Sequence, residues 1–168
     1  MIEIFGNIFE QDDADAICIT TNGVVNKYGE AVMGRGVARQ AKELWPELPR
    51  MLAEDLIKTG NQVYLYWPPS FWSENNSKPY DIITFPTKHK WQEKADVQLI
   101  LRSLKQLIHI IHQNRYEKVV LPRPGCSNGG LDWDRIVKPA IKQHFKYLGK
   151  EKMQDYIYFI TQGDINGK

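Results

Sequence analysis

Asp15-Ala16-Ile17-Cys18-Ile19-Thr20 runs straight into Thr21-Asn22-Gly23-Val24-Val25-Asn26-Lys27-Tyr28-Gly29-Glu30-Ala31-Val32-Met33-Gly34-Arg35-Gly36-Val37, and this passage decides the fold. Its first six residues are nearly continuous in apolar side chains, as in a strand buried on both faces. After the loop, Val37, Ala38, Ala41 and Leu44 fall at helical spacing. The pair Trp45-Pro46 then ends the helix, because the residue before a proline is driven out of the helical region. A buried strand that hands over to a helix through a glycine-bearing loop is the repeating unit of an α/β sheet.

Outward from this unit, Met1 to Phe5 reads as a short strand and about Pro49 to Ile57 as a second helix, closed by Gly60. Gln62 to Trp67 and Tyr80 to Phe85 read as strands; their close connection, Pro68 to Pro79, predicts an antiparallel pair. Around it, Trp67, Phe71, Trp72 and Tyr80 form either an exposed aromatic patch or, as expected here, a satellite core. Ala95 to Gln113 carries one apolar stripe, Val97, Ile100, Leu101, Leu104, Ile108 and Ile111, and predicts the longest helix. Lys118 to Pro122 is a strand, Asp134 to Tyr147 a helix and Tyr156 to Ile160 a last strand. The expected architecture is a three-layer α/β/α domain with a mixed, mostly parallel central sheet, occupying residues 1–168 as one unit.

Composition agrees with a packed core: 42% of the 168 residues are hydrophobic and 25% are charged. The net charge of +2 is unevenly spread. Residues 1–84 carry 7 basic and 12 acidic side chains, whereas residues 85–152 carry 14 and 6. A basic face of this kind suits phosphates, although scattered solvated lysines give the same count. Two cysteines, Cys18 and Cys126, make no disulfide framework and suit a reducing cytoplasm. With no leader-like start and no run near the ~20 apolar residues of a membrane span, the expectation is a soluble cytoplasmic protein with no membrane partner.

Ligands of open α/β sheets sit beyond the carboxyl ends of the strands, so the loops there carry the chemistry. One is the loop quoted above. The second is Pro122-Arg123-Pro124-Gly125-Cys126-Ser127-Asn128-Gly129-Gly130-Leu131-Asp132-Trp133, again between strand and helix. Glycine lets a backbone approach a ligand and turn successive N–H groups toward one anion, and a helix N-terminus adds positive potential. Two such loops in one small domain suggest a diphosphate held between them. Neither contains the Gly-Lys-Ser/Thr of a Walker loop or an ordered Gly-x-Gly-x-x-Gly, which argues against ATP hydrolysis and hydride transfer. Asn22 is either a ribose-binding amide or a turn residue. Lys88, just past a strand end in Phe85-Pro86-Thr87-Lys88, is a nucleophile, a charge stabiliser or a surface lysine. The histidines His89, His109, His112 and His144 show no metal-ligand spacing, so neither metal nor cofactor is expected. Cys126 reads as a loop-packing residue.

Taken together, Gly6-Asn7-Ile8 before an Asp-Ala-Ile strand, Thr21-Asn22-Gly23 with Val32-Met33-Gly34-Arg35-Gly36-Val37-Ala38, Phe85-Pro86-Thr87-Lys88 and the block Gly125 to Trp133 resemble a macrodomain. The likeness is to DarG-type antitoxin macrodomains and to the terminal ADP-ribose protein glycohydrolase. It implies an ADP-ribose pocket in which Asn7 and the Ile8 backbone meet adenine. Gly34, Arg35, Gly36 and Val37 with Ser127, Asn128, Gly129, Gly130, Leu131 and Asp132 would then cradle the diphosphate and distal ribose. Asn22 would orient that ribose and Lys88 would act on it. Three features depart from the pattern. Asn7 stands where an aspartate is usual, and Gly129 where the protein-glutamate hydrolase has its acid. Asp132 fits the DarG-like pattern, with helix capping as its other role. The third departure is the missing second domain, so a toxin-binding role through protein contact is not expected. The implied activity is release of ADP-ribose from a modified macromolecule, nucleic acid before protein. The alternatives are a non-catalytic ADP-ribose or nucleotide binder and a phosphatase of ADP-ribose 1''-phosphate.

Overall fold

A computed structural model describes residues 1–67 and 78–163. Among these residues six strands, β1 (Ile2–Gly6), β2 (Ala16–Thr21), β3 (Tyr64–Tyr66), β4 (Asp81–Pro86), β5 (Val119–Pro122) and β6 (Ile157–Gln162), form one sheet in the order β1-β6-β5-β2-β4-β3. All neighbouring pairs are parallel except β3 and β4, which are antiparallel as their short separation predicts. Among the described residues four α-helices cover the sheet: α1 (Gly36–Leu44), α2 (Leu48–Thr59), α3 (Val97–Asn114) and α4 (Lys138–Leu148).

The quoted strand explains the layering. Along β2, Ile17 and Ile19 enter one core with Ala38, Ala41, Leu48 and Leu52 of α1 and α2. Ala16 and Cys18 enter the other, with Ile100, Leu104 and Ile111 of α3 and Ile141 and Phe145 of α4. Successive side chains of a strand point to opposite faces, so a strand apolar at every position needs a helical layer on each side. The resulting architecture is the expected mixed, mostly parallel sheet with helices.

Several boundaries differ from the sequence reading, each for a local reason. The buried face of α3 takes in Leu99, Ser103 and Leu107, while Val97 and Leu101 are only half-buried. Ser103 is tolerated there because its hydroxyl donates to the Pro86 carbonyl at the end of β4, 2.8 Å away. The last helix opens with a widened turn, Trp133–Val137, before the regular α4. Short 3₁₀ turns at Ile8–Glu10 and Glu151–Tyr156 have too little periodicity to be read from sequence. Of the expected satellite core, Tyr80 is fully buried and donates to the Phe9 carbonyl at 2.8 Å. Trp67 is instead exposed, a correction to that expectation. Phe71 and Trp72 lie outside the described residues.

Five parallel strands bring their carboxyl ends to one edge, at Gly6, Gln162, Pro122, Thr21 and Pro86. No helix among the described residues is long and apolar enough to cross a membrane.

Candidate functional site

At that edge lies a cavity of about 620 Å³, a volume suited to a nucleotide-sized ligand. Both loops singled out in the sequence line it. From the first come Asn22, Gly34, Arg35, Gly36 and Val37, and from the second Arg123, Gly125, Cys126, Ser127, Asn128 and Gly129. The tip of β4 adds Thr87 and Lys88, and the tip of β6 adds Thr161 and Gln162.

The first loop supplies an open helix end. Arg35 occupies the N-cap of α1 in an extended conformation and makes no side-chain cap, so the first N–H groups of the helix keep no partner within it. Such a helix end carries positive potential of the kind that suits an anion, and Gly36, Val37 and Ala38 of its first turn line the cavity. Gly36 adopts φ +56°, and a Cβ there would stand 3.0 Å from the Asn128 amide nitrogen. The two loops therefore meet across the pocket, and the glycine is what allows the approach.

Asn22 braces this loop. Its amide donates to the Val32 carbonyl and its oxygen accepts from the Val24 N–H, both at 3.0 Å. The turn role read from sequence is present, and one amide hydrogen beside the cavity is left over. Lys88 reaches across from β4: its ammonium donates to the Asn128 carbonyl at 3.0 Å and to the Trp91 carbonyl at 3.5 Å. Its main chain is clamped as well, since the Asn61 amide donates to the Lys88 carbonyl at 2.9 Å. Downstream, Asp96 caps α3 by accepting from the Gln98 N–H and also accepts from the His89 ring, both at 2.9 Å. That ring contact, foremost, holds the Asp96 carboxyl below the usual range.

In the second loop Leu131, Gly130 and Asp132 stand outside the cavity lining. Leu131 packs against the α3 and α4 core. Asp132 accepts from the Arg135 N–H at 2.9 Å, which is the capping role. Asn7 and Ile8 also do not line the cavity. Asn7 caps the first 3₁₀ turn by accepting from the Phe9 N–H at 3.0 Å, and Ile8 is fully buried.

Arg123, Trp91 and Gln162 are among the lining residues that were not singled out from sequence. Arg123 lies over the Trp133 ring, 5.3 Å from its centroid, with Nη2 3.2 Å from the Glu3 carboxylate. Glu3 also accepts from Lys138 Nζ and Trp133 Nε1, at 2.6 and 2.7 Å; these bonds, Lys138's above all, keep its carboxyl ionised to lower pH than usual. Trp91, 45% exposed, stands beside Lys88 at the mouth. The position of Arg123 directly after a strand was the available signal; nothing in the sequence places Trp91.

Cys126 lines the cavity yet is a poor nucleophile. Burial, foremost, pushes its thiol up to about 11, with Arg123 opposing and Asp132 and Asp134 adding to the rise. Because the thiolate is the reactive form, alkylation by iodoacetamide followed by mass spectrometry is expected to be negligible at pH 7.5 and to rise only as pH approaches 11. Rapid labelling at neutral pH contradicts this.

No family model matches the chain. It is 32% identical over 124 residues to the DNA ADP-ribosyl glycohydrolase of Mycobacterium tuberculosis, a stretch covering 74% of this chain and 33% of that protein. Among solved structures it is similar to the macrodomain of Thermus aquaticus DarG, with a TM-score of 0.71, 26% identity and coverage of 96% and 97% of the two chains. The chain is a macrodomain of the DarG type. It also shares its fold with Thermosipho africanus DarTG in complex with ADP-ribose, at a TM-score of 0.71, 22% identity and coverage of 98% of this chain and 42% of that one. This macrodomain spans about a third of the length of the curated relative it matches. The family and fold expected from the motif blocks are thus borne out.

Proposed function

We propose that this macrodomain binds ADP-ribose and hydrolyses its glycosidic link to a modified nucleic acid. The observation that carries the reading is the convergence of the uncapped α1 N-terminus, the Ser127-Asn128 loop and Lys88 on one cavity. The amides of Gly36 and Val37 and the second loop take the diphosphate, and Asn22 fixes the distal ribose. Lys88 then acts at the anomeric carbon. As a free amine it attacks that carbon while the bond to the acceptor breaks, the acceptor leaving with a proton; water releases ADP-ribose from the lysine. As an ammonium it stabilises instead the negative charge that develops on the departing acceptor, while water adds to the anomeric carbon.

Nucleic acid is favoured as acceptor by the name of the curated relatives, DNA ADP-ribosyl glycohydrolase, and by the rim of the site. Lys90 and Lys94 are exposed on the segment that also carries Trp91, so cationic side chains and an exposed ring flank the pocket mouth. Free thiols at Cys18 and Cys126 suit a cytoplasmic setting. A second reading, a binder without turnover, is favoured by one observation: both contacts of the Lys88 ammonium are backbone carbonyls, as in a clasp between loops.

Incubation with ADP-ribosylated single-stranded DNA and with glutamate-linked ADP-ribosylated protein decides between them. Free ADP-ribose is expected from the DNA and not from the protein. Calorimetric binding of ADP-ribose without product from either substrate leaves the binder reading; absence of both turnover and binding removes both.

A further inference from the structure

Asn61, in the turn between α2 and β3, does not line the cavity, yet its side chain reaches the main chain from which Lys88 springs. Around Lys88 that main chain is held from both sides. The Thr87 N–H donates to the Thr21 carbonyl at 3.0 Å and the Thr87 carbonyl accepts from the Asp96 N–H at 2.9 Å, so the residues between leave and rejoin at one place. Beyond it, the Lys88 carbonyl accepts from Asn61 Nδ2 at 2.9 Å and the His89 carbonyl accepts from the Gly23 N–H at 3.0 Å. Since a carbonyl only accepts, the Asn61 atom facing it is the nitrogen. The amide is wedged in place: a Cβ on Gly23 would stand 3.0 Å from both Asn61 Cγ and Nδ2. On the other side, Arg102 of α3 donates to the Asn61 main-chain carbonyl at 2.7 Å.

We infer, on the reading of Lys88 given above, that Asn61 is a positioning residue for that lysine and fixes the root of its side chain so that the amine meets the anomeric carbon. A second observation comes from the other half of the amide. Asn61 Oδ1 is buried and has no hydrogen-bond partner among the described residues. A buried polar atom left unpaired is costly, and a leucine of similar shape would fill the space without that cost. Folding alone therefore does not call for asparagine here; what the residue supplies is its donor to the Lys88 carbonyl. That donor matters because a lysine side chain is a long, flexible stem. The stem is tied at its tip to the Asn128 carbonyl and, through Asn61, at its root, and a displacement of about 1 Å at the reacting atom is enough to slow a reaction on the order of 10²-fold. Asn61 also abuts Gly23, next to Asn22, so an effect passing through Asn22 instead would be read in the affinity for ADP-ribose.

The test is a pair of substitutions, each made in wild type and in Lys88→Ala: Asn61→Leu, which keeps the bulk and loses the donor, and Arg102→Met, at the exposed far end of the contact. For every protein, release of ADP-ribose from modified single-stranded DNA is followed under single turnover with protein in excess, and ADP-ribose affinity is measured by calorimetry. In the wild-type background Asn61→Leu is expected to lower the maximal rate roughly 10–100-fold, with the half-saturating concentration and ADP-ribose affinity within about threefold. In the Lys88→Ala background the same substitution is expected to change the residual rate by less than about twofold, because a residue acting through an amine has nothing to act on once the amine is gone. Arg102→Met is expected to follow the same pattern with a loss of about 2–5-fold. Being a surface change, it is expected to melt within about 2 °C of wild type, which keeps the test intact should Asn61→Leu fail to fold. Equal losses of rate in both backgrounds, a fall in ADP-ribose affinity that matches the fall in rate, or variants that turn over like wild type each overturn the inference. If Lys88→Ala itself turns over like wild type, or wild type releases nothing, the reading of Lys88 fails first and this inference falls with it.

Discussion

Lys88→Ala is expected to slow release of ADP-ribose from modified DNA by a factor of about 10²–10⁴ while ADP-ribose affinity changes only a few-fold. The separation follows from the geometry. The groups proposed to hold the diphosphate are backbone amides of the α1 end and the second loop rather than the lysine side chain itself. What alanine removes is the single cationic amine at the tip of β4 and its bonds to the Asn128 and Trp91 carbonyls. Lys88→Arg separates the two chemical roles, because arginine keeps the charge and the reach to a carbonyl but is not a nucleophile. An inactive arginine variant that still binds supports attack by the amine; an active one supports charge stabilisation. Both rates come from quantifying free ADP-ribose over time. If Lys88→Ala turns over like wild type, catalysis by this residue is excluded and the clasp between loops is what remains of its role.

The layers were legible because the β2 residues Ala16 to Ile19 are apolar at every position, and only a doubly covered strand explains that pattern. The two loops were legible through their glycines, and their meeting follows from parallel strands placing strand ends on one edge. Other features depend on pairing that no periodicity encodes. Gln162 lies at the end of a strand whose partner is β1, more than 150 positions away in sequence, so its bonds to Asn7 and Ile8 exist only once the sheet has formed. Trp91 sits in a polar segment with no regular spacing, and the register of α3 turns on Ser103 finding a carbonyl at the end of β4. The roles of Asn22 and Asp132 were open in sequence because one side chain suits both a turn or cap and a ligand. In the folded chain the local bonds are made in both cases, and only Asn22 also faces the cavity.

Gly129→Ala is expected to lower stability by about 1–3 kcal/mol, the range for forcing extra volume into a packed site. In a thermal melt this corresponds to a fall of roughly 2–12 °C in Tm. ADP-ribose affinity is expected to drop more than about tenfold, because the displaced loop carries Ser127 and Asn128. A Cβ at Gly129 would lie 2.5 Å from the Gly125 carbonyl oxygen, 2.7 Å from the Gly125 Cα and 2.8 Å from the Ala95 Cβ. The backbone has little freedom to yield. The Gly129 carbonyl accepts from the Ala95 N–H at 3.0 Å, just ahead of α3, and the Gly125 carbonyl accepts from the Leu131 N–H at 2.9 Å. Gly34→Ala is the control, since it lies in the other loop with nothing within 4 Å of its added Cβ, and its melting point is expected to stay within about 2 °C of wild type. The same contact bears on chemistry. Gly129 holds the position where the likeness to the protein-glutamate hydrolase calls for an acid, and Gly129→Asp puts a larger side chain against the same three atoms. That substitution is expected to cost at least as much stability as alanine and to confer no activity on glutamate-linked ADP-ribose, measured on modified protein. A Gly129→Asp protein that melts like wild type and cleaves that link would show that the loop has room for an acid and that its absence, rather than its packing, sets the acceptor.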